Sequence, residues 1–272
     1  MSAAFLITFR EGLEAFLLVG IILGYLRKLE APQYGKWIYA GVGAGVLASL
    51  LVAGVFQLVV SQFDNERYQH FLMIFILLFA TVVLTYMAIW MQRQAHAHSE
   101  HVKQKLQHFV TTGNLIGMVF LAFIAVLREG FETILFFSAL LYSGQGVELE
   151  SGLVGAVLGL AASIALVWLL LRGTRRVPIG EFFRYTSLLI LIIAAGLLSS
   201  AVNMLQAVQF FPIWISPLFD ISHILDDQGN LGTFLRALFG YNASPTALQF
   251  GTWVLYLGAA LFLWHKSYAE KT

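Results

Sequence analysis

The 272-residue chain contains no cysteine. Disulfides and thiolate metal sites are therefore excluded, and any metal must be held by oxygen or imidazole. Charge is scarce as well. Asp, Glu, Lys and Arg make up 11% of the chain, against about 25% in an ordinary soluble domain. That deficit places the chain in the membrane class before any residue is inspected. The net charge of +1 leaves no basic face, which excludes nucleic acid as a partner. No nucleophile–base pair and no His-Glu-x-x-His motif is present, so an enzyme is not expected. A basic leader is missing too. Met1-Ser2-Ala3-Ala4 has no basic n-region, and Arg10 and Glu11 soon interrupt the apolar run. The segment is expected to be the first membrane span, not a cleaved signal.

What the chain has in quantity is apolar sequence, 59% of the total. Apolar runs long enough to span a bilayer fall at about 3–26, 37–60, 71–91, 115–142, 152–171, 185–207 and 248–264. They predict an all-α membrane protein of seven transmembrane helices in a single permease domain, residues 1–272. The two long links are 92–114 and 208–247. Lys and Arg set the orientation. With the N-terminus outside, the inner side holds Arg27, Lys28, Lys36, Arg93, Lys103, Lys105, Arg172, Arg175, Arg176, Arg184, Lys266 and Lys271. The outer side then holds only Arg67 and Arg236, with Asp64, Glu66, Glu148, Glu150, Asp220, Asp226 and Asp227. An outside N-terminus, an inside C-terminus and the cell inner (plasma) membrane are expected. Trp37, Trp90 and Trp264 stand at the inner ends of their spans, as an aromatic belt would.

The halves repeat. Arg10-Glu11-Gly12-Leu13-Glu14 in span one returns as Arg128-Glu129-Gly130-Phe131-Glu132 in span four, 118 residues on. Spans two and five open with Gly41/Gly45 and Gly155/Gly159, 114 residues apart, followed by Ala48-Ser49 and Ala161-Ala162-Ser163. A Gly-x-x-x-Gly pair alone signals only close helix packing; the matched positions carry the repeat. The expected plan is repeat 1 at about 1–92, repeat 2 at about 113–208, an outer loop at about 209–247, and helix seven at about 248–265. Three spans per unit is odd, so the second unit must be inverted. Inverted repeats with a substrate site at their interface are a recurring plan for secondary transporters.

The motifs carry the chemistry. At about 100° per residue, Arg10, Glu11 and Glu14 share one helix face, as do Arg128, Glu129 and Glu132. Neighbouring glutamates at i,i+3 can converge on one cation, and the arginine at i,i+4 can neutralise a carboxylate when none is bound. Counted from the outer ends of antiparallel spans, the two pairs overlap near the middle of a ~30 Å core. Four carboxylates and two guanidiniums leave a formal −2, which suits a multivalent cation or bound protons. Oxygen-only ligation favours hard ions such as Mg, Ca, Mn or iron. A structural ion pair is the bland alternative, but intramembrane ionisable groups are functional by default.

A doubled Arg-Glu-Gly-x-Glu motif in the first and fourth of seven spans resembles the high-affinity, oxidase-dependent iron permeases. The short chain without an extra domain is most similar to the bacterial Efe-type members. The resemblance covers essentially the whole chain; the first motif has the family's usual Leu13, and the second has Phe131 in its place. It implies iron ion as the transported substrate, moved inward, with no prosthetic group. It implies Glu11, Glu14, Glu129 and Glu132 as iron ligands, with Arg10 and Arg128 beside them. It also implies periplasmic iron-delivery or oxidase partner proteins. A transporter of lead, manganese or another cation, or a non-transporting metal-sensing membrane subunit, is the alternative.

Three further groups stand out. Asp220, His223, Asp226 and Asp227 form either an acidic outer vestibule or a solvated loop with helix caps. His96, His98 and His101, with His108 beyond, form either an inner metal-receiving site or a solvated helical linker. Thr81, Thr85, Tyr86, Ser199, Ser200, Asn203 and Gln206 either orient the carboxylates or hydrogen-bond between helices.

Overall fold

The computed structural model describes residues 2–62, 66–143, 149–172, 179–227 and 229–269. Among these residues the chain is all-helical: α1 (Ser2–Lys28), a 3-10 turn (Pro32–Tyr34), α2 (Gly35–Ser61), α3 (Glu66–Thr112), α4 (Leu115–Tyr142), α5 (Leu149–Arg172), α6 (Ile179–Ala207), α7 (Asn230–Phe239) and α8 (Ala247–Ala269). Five helices contain stretches long and apolar enough to cross a membrane: Pro32–Val60, Tyr68–Ile89, Leu149–Leu170, Arg184–Ala207 and Ala247–Ser267. The helices α1 and α4, of 27 and 28 residues, have the length. Each also carries the three charges of its motif near its middle.

Two segments expected as links are helical. The first is 92–112, which continues α3 to a total of 47 residues. Gly113 at φ +64° ends that helix, and Asn114 caps the next by accepting the Gly117 N–H at 2.9 Å. Val102, Leu106, Phe109 and Val110 are spaced to form one apolar stripe in this polar stretch. Val102 and Leu106 are buried against Ile22 and Leu26 of α1 and Met118 and Ala122 of α4. The second segment is α7, inside the 209–247 link. It ends at Gly240, whose N–H returns to Arg236 O at 3.0 Å. A side chain at Gly240 would strike the backbone of Gly196 on α6.

Polar side chains pin the rest of the 208–246 link to the ends of α6 and α8. Thr246 Oγ1 donates to Gln206 Oε1 at 2.8 Å, and Gln206 Nε2 donates to the Pro212 carbonyl at 3.3 Å. Asn242 Nδ2 donates to Gln249 Oε1 at 3.0 Å, and Trp253 Nε1 to the Phe239 carbonyl at 2.9 Å. Trp264, expected at a bilayer interface, is buried in the main core with the Arg184 guanidinium 5.8 Å from its ring.

Packing positions the motifs. The Ser2 end of α1 (Ala3, Ala4, Ile7) shares a core with the Tyr142 end of α4 (Leu135, Phe136, Ala139, Leu140). The opposite ends meet through Ile22, Leu26, Met118 and Ala122. The two motif helices are therefore antiparallel. Most of the remaining helix contact is α1 on α5, α2 on α4, and α3 on α6. A Cβ at Gly45 would meet the Phe123 carbonyl of α4, and one at Gly159 would meet the Phe5 carbonyl of α1. A Cβ at Gly130 would strike Ser49, and one at Gly12 would strike Ser163. The offsets of 118 and 114 residues convert each of these contacts into the other. The small-residue helix of each half thus packs on the motif helix of the opposite half.

Gly130→Ala forces a methyl into Ser49, and overpacking of this kind costs roughly 1–3 kcal/mol. The variant is expected to melt earlier in detergent, read by fluorescence-detected size exclusion. Gly130→Ala combined with Ser49→Gly should recover most of the loss, because the second change removes the atoms that are struck.

Candidate metal centre

The first motif is sealed inside the bundle: Arg10 and Glu11 are each 1% exposed. Arg10 Nη1 donates to Glu11 Oε1 at 2.5 Å, and Nη2 lies 2.9 Å from Glu14 Oε1. In the second motif, Arg128 Nε donates to Glu132 Oε1 at 3.0 Å and lies 3.9 Å from Glu129 Oε1. Each arginine therefore pairs with the two glutamates of its own helix. The arginines differ in setting, because the Arg128 side chain is 39% exposed.

The carboxylates nevertheless meet across the helices. One oxygen each from Glu11, Glu14 and Glu129 lie within 4.8 Å of one another. Glu132 is not part of that trio; it is buried and held by Arg128. Glu11 Oε2, Glu129 Oε2 and Glu132 Oε2 are buried with no hydrogen-bond partner. Buried polar atoms without partners are costly. Two ionised carboxylates at this separation repel by on the order of 3 kcal/mol at an effective dielectric of about 20. A cation between the three oxygens, or protons on them, relieves both penalties at once. The donor set is all oxygen, which matches hard cations.

The close approach of α1 and α4 to their neighbours makes this convergence possible. Gly12 and Gly130 stand inside the two motifs and let Ser163 and Ser49 press against the motif helices. Both serines turn their hydroxyls back onto their own helices, Ser49 Oγ to the Gly45 carbonyl and Ser163 Oγ to the Leu160 carbonyl. In the sequence these serines read only as small residues. Their shared offset of 114 was the signal that they occupy equivalent sites.

The model of the iron permease FTR1 family matches residues 1–270. The chain belongs to the FTR1 iron permease family. It is a membrane permease of an iron-transport family, not an enzyme. A ferrous iron permease EfeU of Yersinia pestis is 31% identical over 265 residues, covering 97% of this chain and 93% of that protein. A ferrous iron permease EfeU of Escherichia coli O6:K15:H31 is 33% identical over 266 residues, covering 96% of this chain and 94% of that protein. No solved structure matches this permease.

Among the described residues, the metal-holding cluster contains none of the other sequence candidates. Asp220 Oδ1 accepts the Ser222 N–H at 2.9 Å, and Asp227 Oδ1 accepts the Ala243 N–H at 2.9 Å. Both acids thus act as loop staples. Hydrogen bonds from the Ser222 hydroxyl and N–H hold the Asp220 carboxyl below the usual carboxylate range. Asp220, His223 and Asp226 are exposed. His96, His98 and His101 fall on α3, and their side chains lie outside the described residues, as does Glu148. Thr81 and Thr85 hydrogen-bond to the carbonyls of Leu77 and Thr81, Thr85 also meets the Tyr256 hydroxyl, and Gln206 serves the link above. Of these bonds only Thr85 to Tyr256 joins two helices, and none reaches the glutamates.

Glu11→Gln, Glu14→Gln and Glu129→Gln are each expected to abolish stoichiometric iron binding by the purified permease, measured by calorimetry. Glu132→Gln should weaken binding but keep it, because Glu132 stands outside the trio.

Proposed function

We propose that this permease carries iron inward across the cell inner membrane through a cage built from Glu11, Glu14, Glu129 and Glu132. One observation carries the reading: three of these carboxylates, contributed by two antiparallel motif helices, converge to within 4.8 Å in a chain of an iron permease family. Arg10 and Arg128 neutralise the acids when the metal is absent. Glu132 joins the cage as Arg128 releases it.

The reading includes seven spans, with α1 and α4 crossing the bilayer beside the five helices that carry no such motif. The N-terminus is outside, as the Lys and Arg distribution favours. The exchanged packing of α1 on α5 and α2 on α4 supports an inverted three-plus-three repeat with α8 appended. In this orientation Glu11 and Glu132 face the entry side, and Glu14 and Glu129 the exit side. Iron reaches Glu11 and Glu132 first, displaces protons or arginine contacts, and moves to Glu14 and Glu129 as the halves rock. Asp220 and Asp226, both exposed, add negative charge to the entry face. Delivery or oxidase proteins outside the membrane are the expected partners. The ferrous form is the expected cargo, since the related permeases are named for it.

Reconstituted liposomes test this directly. Vesicles containing the permease should accumulate radioactive ferrous iron, with ferric iron and manganese run as comparison arms and internal pH recorded. Glu14→Gln should reduce uptake to the level of empty vesicles while inserting normally. Uptake by Glu14→Gln at the wild-type rate would sink the proposal, and iron binding without uptake by the wild type would favour a sensing subunit.

A further inference from the structure

A cavity of about 270 Å³ is lined by two of the three trio carboxylates, Glu14 and Glu129, and by Arg128. The second half of α3 contributes Val102 and Lys105 to the same lining. Its walls are mostly apolar, including Leu18, Phe120 and Ile124. The charged residues of the lining are therefore Glu14, Glu129, Arg128 and Lys105. Arg128 is already engaged with Glu132. Lys105 is exposed and projects from a helix held in place by the buried Val102 and Leu106 on either side of it.

We propose that Lys105 is the exit-side counter-ion of the cage: its ammonium enters the cavity as the metal leaves and takes the metal's place beside Glu14 and Glu129. The inference rests on the carboxylate reading above. A lysine suits the task because it is a compact charge on a flexible four-carbon stem, able to swing between solvent and cavity. Apolar walls keep the local dielectric low, so a single charge crossing the cavity is felt strongly at the carboxylates. With metal bound, like charge drives Lys105 outward. With metal gone, Glu14 and Glu129 draw it in, which blocks re-entry from the exit side and stabilises the empty cage. Arg10, sealed at 1% exposure and paired with its own glutamates, has no such freedom.

The consequence is a split between affinity and turnover. Losing the charge that stabilises the empty cage should tighten metal binding about tenfold and slow release to match. Lys105→Gln should therefore bind ferrous iron about tenfold more tightly in calorimetry. In liposomes it should show a lower half-saturation concentration and a lower maximal rate. Lys105→Arg should restore both toward wild type, which loss of packing alone would not do. Unchanged affinity and rate in Lys105→Gln would overturn the inference. So would a lowered rate at unchanged affinity that Lys105→Arg fails to restore. Glu14→Gln and Glu129→Gln serve as controls. If they bind iron as the wild type does, the carboxylate reading itself fails; if they lose binding while Lys105→Gln is unchanged, only the role of Lys105 fails.

Discussion

Six charged side chains inside an apolar bundle must be stabilised by one another, because neither lipid nor aliphatic packing can do it. Arg10 answers Glu11 and Glu14; Arg128 answers Glu129 and Glu132. Glu11 Oε2, Glu129 Oε2 and Glu132 Oε2 are left buried without a hydrogen-bond partner. That constraint explains why α1 and α4 lie antiparallel with their motifs at one level. It also explains the small residues around them. Gly12, Gly130, Ser49 and Ser163 let α2 and α5 approach the motif helices closely.

The two halves apply the same device with different outcomes. Arg10 is fully enclosed, while Arg128 is more than a third exposed and borders a cavity. The chain beyond the third apolar stretch of each half differs as well. After the apolar part of α3, the chain continues as helix and lays Val102 and Leu106 against α1 and α4. After α6, the chain runs through an irregular link pinned by Gln206, Thr246, Asn242 and Gln249, then through α7. The two halves thus pack their motif helices alike but continue into unlike segments.

Much of this was legible in the residues. Apolar length found the helices, since a bilayer demands uninterrupted runs. The doubled motif found the glutamates that meet. The stripe Val102, Leu106, Phe109 and Val110 was readable as one helical face, yet the high polarity of 92–114 concealed it. α7 was missed for a related reason: ten residues between turn-rich flanks carry a weak signal against a link of nearly forty. Trp264 read as an interfacial residue because its position along the span is the same whether its ring faces lipid or core.

Composition and periodicity alone established a cysteine-free membrane bundle, the doubling of the motif, and the shared face of each arginine with its two acids. These properties are local or additive along the chain. Tertiary structure decided which helices exchange partners, which three of the four carboxylates converge, and that Lys105 shares a cavity with two of them. Those outcomes depend on how closely α1, α4 and the second half of α3 approach one another. Approach distance is set by side chains distant in sequence, so no single stretch of the chain encodes it.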